Sequence, residues 1–134
     1  MKMLKYFFII TDVGFLIYWL ITLVHVIPKQ YLFKDYNHPI LVAWNWSFLP
    51  LDLLISITGF LSLYFFSKQN MLWCSFALIS LVLTFCSGLQ AIVFWIIRLD
   101  FDWTWWLFNL YLIIYPCVFL RSILKRLNRE LRSP

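Results

Sequence analysis

Four apolar runs separated by short polar breaks occupy nearly the whole chain, over residues 6–27, 48–67, 71–97 and 103–120. Each is close to or above the ~20 residues that carry an α-helix across the hydrocarbon core of a bilayer. None alternates apolar and polar positions over about ten residues, the mark of a barrel strand. In lipid a backbone must satisfy its own hydrogen bonds, so each run is expected as a helix. Residues 28–39 form the longest break. They are polar but carry Tyr31, Phe33 and Tyr36, which suits a segment lying along a membrane surface. Residues 67–70 make a tight polar turn and 98–102 a charged loop. Pro50 falls in the first turn of the second run or kinks it. Beyond the fourth run, residues 121–132 form a basic helical tail. The first run has a rival reading as a secretory leader, whose apolar core would be about 7 to 15 residues with a small-residue cleavage site after it. This run is longer and leaves through His25-Val26-Ile27-Pro28, so it is expected as a retained first helix.

Composition agrees with lipid as the solvent. The 134 residues are 63% hydrophobic, 22% aromatic and 13% charged, with a mean hydropathy of +0.84. Soluble domains carry about 25% charged residues. The expectation is an all-α polytopic membrane protein of one domain, four antiparallel helices in a bundle. Trp103, Trp105 and Trp106 resemble an aromatic belt at a headgroup boundary.

The net charge of +5 does not signal nucleic-acid binding, because the basic residues flank the apolar runs. Lys2, Lys5, Lys68, Arg121, Lys125, Arg126, Arg129 and Arg132 fall on one side, and Lys29, Lys34 and Arg98 on the other. Eight against three places both termini in the cytoplasm by the positive-inside rule, in the cell membrane. The basic tail is expected to meet anionic lipid headgroups.

Two acids interrupt the apolar runs, Asp12 and Asp52. A charged side chain at the centre of a membrane helix costs about 2.5 to 3.5 kcal/mol on insertion scales and marks a candidate functional site. On the first helix Thr11, Gly14, Tyr18, Thr22 and His25 share a stripe, with Asp12 about a quarter turn away. On the second, Asp52, Ser56 and Gly59 align, and Asn45 joins them if the helix continues through Pro50. Ser80, Thr84, Ser87, Gly88 and Ala91 form a small-residue stripe on the third, the pattern of closely packed membrane helices. Asp52, Gln90 and Asn109 fall at similar depth in the outer half, with His25 nearer the rim. A ligand-binding cluster of Asp52, Gln90, Asn109, Asn45 and His25 is therefore geometrically open, with Gln90 the expected partner of Asp52. The plainer alternative is helix-to-helix pairing, worth only about 0.6 to 2 kcal/mol. Asp12 and Asp52 are also the candidates for proton titration. Asp12 lies nearer the cytoplasmic edge, which favours a side chain reaching for the headgroups.

Catalytic and metal chemistry find no foothold in the motifs. GxSxG, HExxH and a glycine-rich phosphate loop are all missing from the sequence. Cys74, Cys86 and Cys117 have no CxxC or Cys/His spacing, so neither metal nor cofactor is expected. Ser47 is expected to cap the second helix.

The segments TDVGFLIYW (11–19), YLFKDY (31–36) and AWNWSFLPLDL (43–53) resemble the YvaD-like family of small uncharacterised bacterial four-helix membrane proteins. The resemblance covers essentially the whole chain and implies a membrane protein of the cell envelope, with no activity attached. A looser architectural likeness is to sterol-isomerase and sigma-2-receptor domains, which hold an amine or carbocation-like substrate against buried carboxylates. Three readings stay open. One is a binding or interaction module using the outer polar cluster. Another is an oligomeric proton-coupled transporter, and the third a sterol-isomerase-like lipid-binding protein or enzyme. The bilayer, a second copy of the chain and a membrane partner protein are the partners these readings imply.

Overall fold

The computed structural model describes residues 1–28 and 32–132. Lys29 and Tyr31, both used above, lie outside the described residues. Five helices carry the fold: α1 (Lys2–Leu23), α2 (Pro39–Ser47), α3 (Leu49–Ser67), α4 (Leu72–Ile97) and α5 (Trp103–Arg132). With α2 and α3 taken together as Pro39–Ser67, four stretches are long and apolar enough to cross a membrane. The fold is all-α.

Two prolines shape the second stretch. Pro39 stands in the first turn of α2 and Pro50 in the first turn of α3, where a missing N–H leaves no helical bond unmade. His38 caps α2 by accepting from the Ile40 N–H through Nδ1 at 3.3 Å. Between the two helices the Phe48 N–H turns back to the Asn45 carbonyl at 3.1 Å. Pro50 has no N–H with which to carry the α-helical ladder through this point. Ser47, expected as a cap, instead donates to the Trp44 carbonyl at 2.6 Å.

α1, α3 and α4 end alike, with His25, Gln69 and Leu99 in the left-handed region at φ 53°, 52° and 56°. The following N–H reaches back five residues in each case: Val26 to Ile21, Asn70 to Phe65 and Asp100 to Trp95. This termination usually employs glycine, but the chain's three glycines all lie inside helices. One consequence is that α1 stops at Leu23. His25 then sits in an exposed turn rather than on the helix face expected for it.

The long helices form an antiparallel bundle in which α3 packs on α1 and α4, and α5 packs on α4. Aromatic pairs close the ring between α1 and α5, with Phe7 stacked on Tyr115 at 5.2 Å and Phe15 edge-on to Phe108 at 6.3 Å. The small-residue stripe of α4 does what its spacing implies. Ser80, Thr84, Ser87, Gly88 and Ala91 are all buried, and Gly88 lets α5 approach. α5 itself runs unbroken to Arg132, so the basic tail is its last three turns. Ile123 is buried there and the Arg126 guanidinium lies 4.9 Å from the centre of the Trp73 ring.

The close approach at Gly88 gives a test. A Cβ at this position would lie 2.7 Å from the Asn109 carbonyl oxygen, which is backbone, whereas one at Gly14 would meet nothing within 4 Å. Gly88→Ala is expected to cost about 1–3 kcal/mol, as overpacking does. Gly14→Ala should be neutral or stabilising, because alanine is the better helix former by up to about 1 kcal/mol. Thermal unfolding in detergent measures both.

Candidate functional site

Asp52 is where three helices meet. It stands in the first turn of α3 and is 4% exposed. The Trp19 indole of α1 donates to its Oδ2 at 2.9 Å, and the Ser87 hydroxyl of α4 donates to its Oδ1 at 3.1 Å. Each carboxyl oxygen is thus held by a donor from a different neighbour. Sequence reasoning expected Gln90 in this role. At 100° per residue Gln90 points about 130° away from the centre of the buried face of α4, and the structure leaves it exposed. Ser87, one turn earlier, takes its place because it belongs to the stripe that faces α3.

A cavity of about 50 Å³ opens beside the Asp52 carboxyl. That is room for a few water molecules, each needing ~10–15 Å³ by this measure. Asn45 and Asn109 line it, as do Tyr18 and Trp19. Asn45 accepts the Tyr18 hydroxyl at 3.0 Å. Asn109 uses its amide to donate to the Trp105 carbonyl at 2.8 Å, and no described residue donates to its Oδ1. The remaining wall is apolar and mostly aromatic, with Phe33, Trp44, Trp95 and Trp105 among its rings and Ala91 and Leu112 completing it. No lysine, arginine or histidine lines the cavity among the described residues. Of the five residues expected to cluster, the structure therefore gathers Asp52, Asn45 and Asn109, and leaves Gln90 and His25 outside.

Residues 32–38, which lead into α2, cover this end. Phe33 is 4% exposed, wedged 5.1 Å from Trp95 and 5.6 Å from Trp105 between ring centres. Ion pairs hold the segment down. Arg98 reaches Asp35 and Asp100, each at 2.9 Å, and Lys34 reaches Asp100 at 3.4 Å. The bond from Arg98 holds the Asp100 carboxyl below the usual aspartate value of 3.8, helped by Lys34.

Asp12 occupies a different place. It is fully buried on α1 against Gly59 of α3, where any Cβ would overlap its carboxyl group. A side chain reaching for the headgroups is thereby corrected, since the glycine creates a slot that draws the carboxyl inward. Both Asp12 oxygens and the Tyr115 hydroxyl are buried with no hydrogen-bond partner among the described residues. Nearby, Thr11 and Tyr111 pair through their hydroxyls at 3.0 Å. Ser56, one turn beyond Asp52, donates to the main-chain carbonyl of Asp12 at 3.2 Å, a bond that joins α3 to the α1 backbone and leaves the two carboxyl groups unlinked. Trp19 meets Asp52 and Asp12 meets Gly59, seven residues apart on each helix, so the two levels are separated by about 10 Å at 1.5 Å per residue.

The chain matches the profile of a family of unknown function, DUF5360, over residues 4–130. It belongs to that family. It is 52% identical to the uncharacterized protein YvaD of Bacillus subtilis (strain 168) over 133 residues, 99% of this chain and 100% of that protein. No solved structure matches. The DUF5360 assignment carries no activity, so the chemistry of the pocket has to be argued from its own residues.

Two predictions follow from this geometry. Asp52→Asn keeps one acceptor and should fold with little loss, whereas Asp52→Leu strands the Trp19 N–H and the Ser87 hydroxyl and should cost about 1–3 kcal/mol, read as thermal stability in detergent. The second concerns pH. The depressed carboxyl of Asp100 stabilises the clamp above the ordinary aspartate range, and this is lost as pH falls below 3.8. Trp106, whose indole donates to the Asp100 carbonyl at 3.1 Å, should report that acid step in its indole NMR signal. Arg98→Gln should move the step up toward the ordinary aspartate value.

Proposed function

We propose that this member of the DUF5360 family is a multi-pass cell-membrane protein with both termini cytoplasmic, and that its outer-half pocket binds a small organic cation. Four stretches of sufficient length and apolarity support the membrane reading. So does the girdle of outward-facing side chains such as Ile10, Leu20, Leu54, Ile97 and Ile114, far more apolar surface than a soluble monomer tolerates. The orientation rests on the distribution of lysine and arginine.

The observation that carries the ligand class is the single carboxyl group of Asp52 in a cavity whose wall, apart from the two carboxamides, is apolar and mostly aromatic. Carboxyl and carboxamide oxygens together with ring faces attract a cation, and aromatic cages are the recurrent means of holding alkylammonium groups. Pockets that place a few polar groups within an apolar lining fix a ligand's orientation in the same way. The cavity suits one ammonium head, while an attached alkyl chain can leave between the helices into lipid. Titration with methylammonium through tetramethylammonium in a neutral detergent should quench tryptophan emission saturably in the wild type, and much less in Asp52→Asn. Equal titration curves for the two proteins would remove the proposal.

A second reading is favoured by Asp12, whose enclosed carboxyl has no partner. Such a group is a candidate proton carrier in a transporter that works as an oligomer. In liposomes under a pH gradient, Asp12→Asn would then abolish a proton flux that the wild type supports. An absence of flux in the wild type would end this reading.

A further inference from the structure

We infer that the groove between α1 and α5, together with the basic end of α5, forms a binding site for one anionic phospholipid. The groove measures about 490 Å³, and Met3 and Phe7 of α1 face Leu107, Ile114 and Val118 of α5 across it. Its exposed lining is apolar, and Val118 and Met3 are among the most exposed large side chains in the chain, at 64% and 66%. From Leu107 to Val118 the groove extends about 17 Å at 1.5 Å per residue, close to half of the roughly 30 Å hydrocarbon core. That is the depth of one leaflet's acyl chain.

Charge identifies the occupant. At 100° per residue, Leu107, Ile114 and Val118 share a stripe of α5 with Arg121, Lys125, Arg129 and Arg132. All four basic side chains are exposed. The remaining basic residue of the tail, Arg126, is on another face, pairing with Glu130 at 3.3 Å and lying over Trp73. The apolar groove therefore runs directly into four cations with no acid on their stripe. An acyl chain laid in the groove brings a phosphate to Arg121 and Lys125, where basic residues at a membrane surface attract anionic lipid. A neutral lipid or a bare apolar helix would leave those cations without a counterpart. Its basic end lies at the opposite end of the bundle from the Asp52 pocket, while its Leu107 end is level with that pocket on another face of α5. It rests on the tail-inside orientation only for the leaflet it draws from.

The test uses the delipidated full-length protein in neutral detergent, with phosphatidylglycerol and phosphatidylcholine of identical chains offered in turn and bound lipid counted by native mass spectrometry. One phosphatidylglycerol should be retained, at least tenfold more tightly than phosphatidylcholine. Replacing all four stripe residues (R121Q, K125Q, R129Q, R132Q) should bring the two lipids to parity. Filling the groove with Ile114→Trp should weaken phosphatidylglycerol several-fold. Inorganic phosphate at millimolar concentration should fail to displace the lipid. Helicity by circular dichroism checks both variants. Should either misfold, added salt must erase the preference in the wild type instead.

Equal retention of the two lipids by the wild type would overturn the proposal. So would phosphatidylglycerol binding indifferent to Ile114→Trp, which would leave only surface charge, or displacement by free phosphate. A dimer that Ile114→Trp dissociates would assign the groove to a second copy of the chain. Because detergent has no leaflets, an error in orientation leaves these outcomes unchanged and appears only in reporter fusions at the C-terminus.

Discussion

The bond from the Trp19 indole to the Asp52 carboxyl joins α1 to α3, and the Ser87 hydroxyl on the same carboxyl group adds α4. Everything at this end of the bundle follows from that junction. A carboxyl in an apolar interior must find donors or impose the cost of an unsatisfied polar group. Here it finds two, one from each neighbouring helix, and they add to the hydroxyl-to-carbonyl bonds of Ser56, Ser62 and Ser80 that also join these helices. Fixing Asp52 anchors the first turn of α3, next to the break at Phe48 that Pro50 imposes between α2 and α3. α2 in turn carries Asn45 and Trp44 to the cavity wall.

The other acid shows what happens when no donor arrives. Asp12 occupies a slot that exists because Gly59 has no side chain, and among the described residues neither its oxygens nor the Tyr115 hydroxyl finds a hydrogen-bond partner. The same residue type thus plays two parts in one bundle, set by what the facing helix offers. Tryptophan and serine make a junction, and glycine makes an enclosure.

Much of this was legible in the residues. The four apolar runs, the polar breaks and the packing stripe of α4 follow from hydrophobicity and spacing alone, as does the inward direction of Asp52. The partner of Asp52 was less accessible. Gln90 has the longer reach and the right depth, but helical phase favours Ser87, and a serine within a small-residue stripe looks like packing and nothing more. Trp19 was missed because the stripe drawn on α1 ran through Thr11 and Tyr18. The buried face takes in Thr11 and Thr22 but also Phe8, Asp12, Phe15 and Trp19, and following Asp12 two turns onward would have reached the indole. The ends of the helices were hidden for another reason. Glycine is the usual sign of a left-handed stop, and this chain places His25, Gln69 and Leu99 there. The end of α1 ahead of His25, and with it the exclusion of that residue from the cluster, therefore had no signal in composition.

The junction itself can be observed directly through the Trp19 indole proton. In NMR spectra of the 15N-tryptophan-labelled protein, a hydrogen bond to the Asp52 carboxyl predicts a Trp19 Nε1–H signal that exchanges slowly with water. In Asp52→Leu that signal should shift while the Trp103 indole stays in place. A Trp19 indole that exchanges as fast as the exposed Trp103, or is indifferent to Asp52→Leu, would contradict the account.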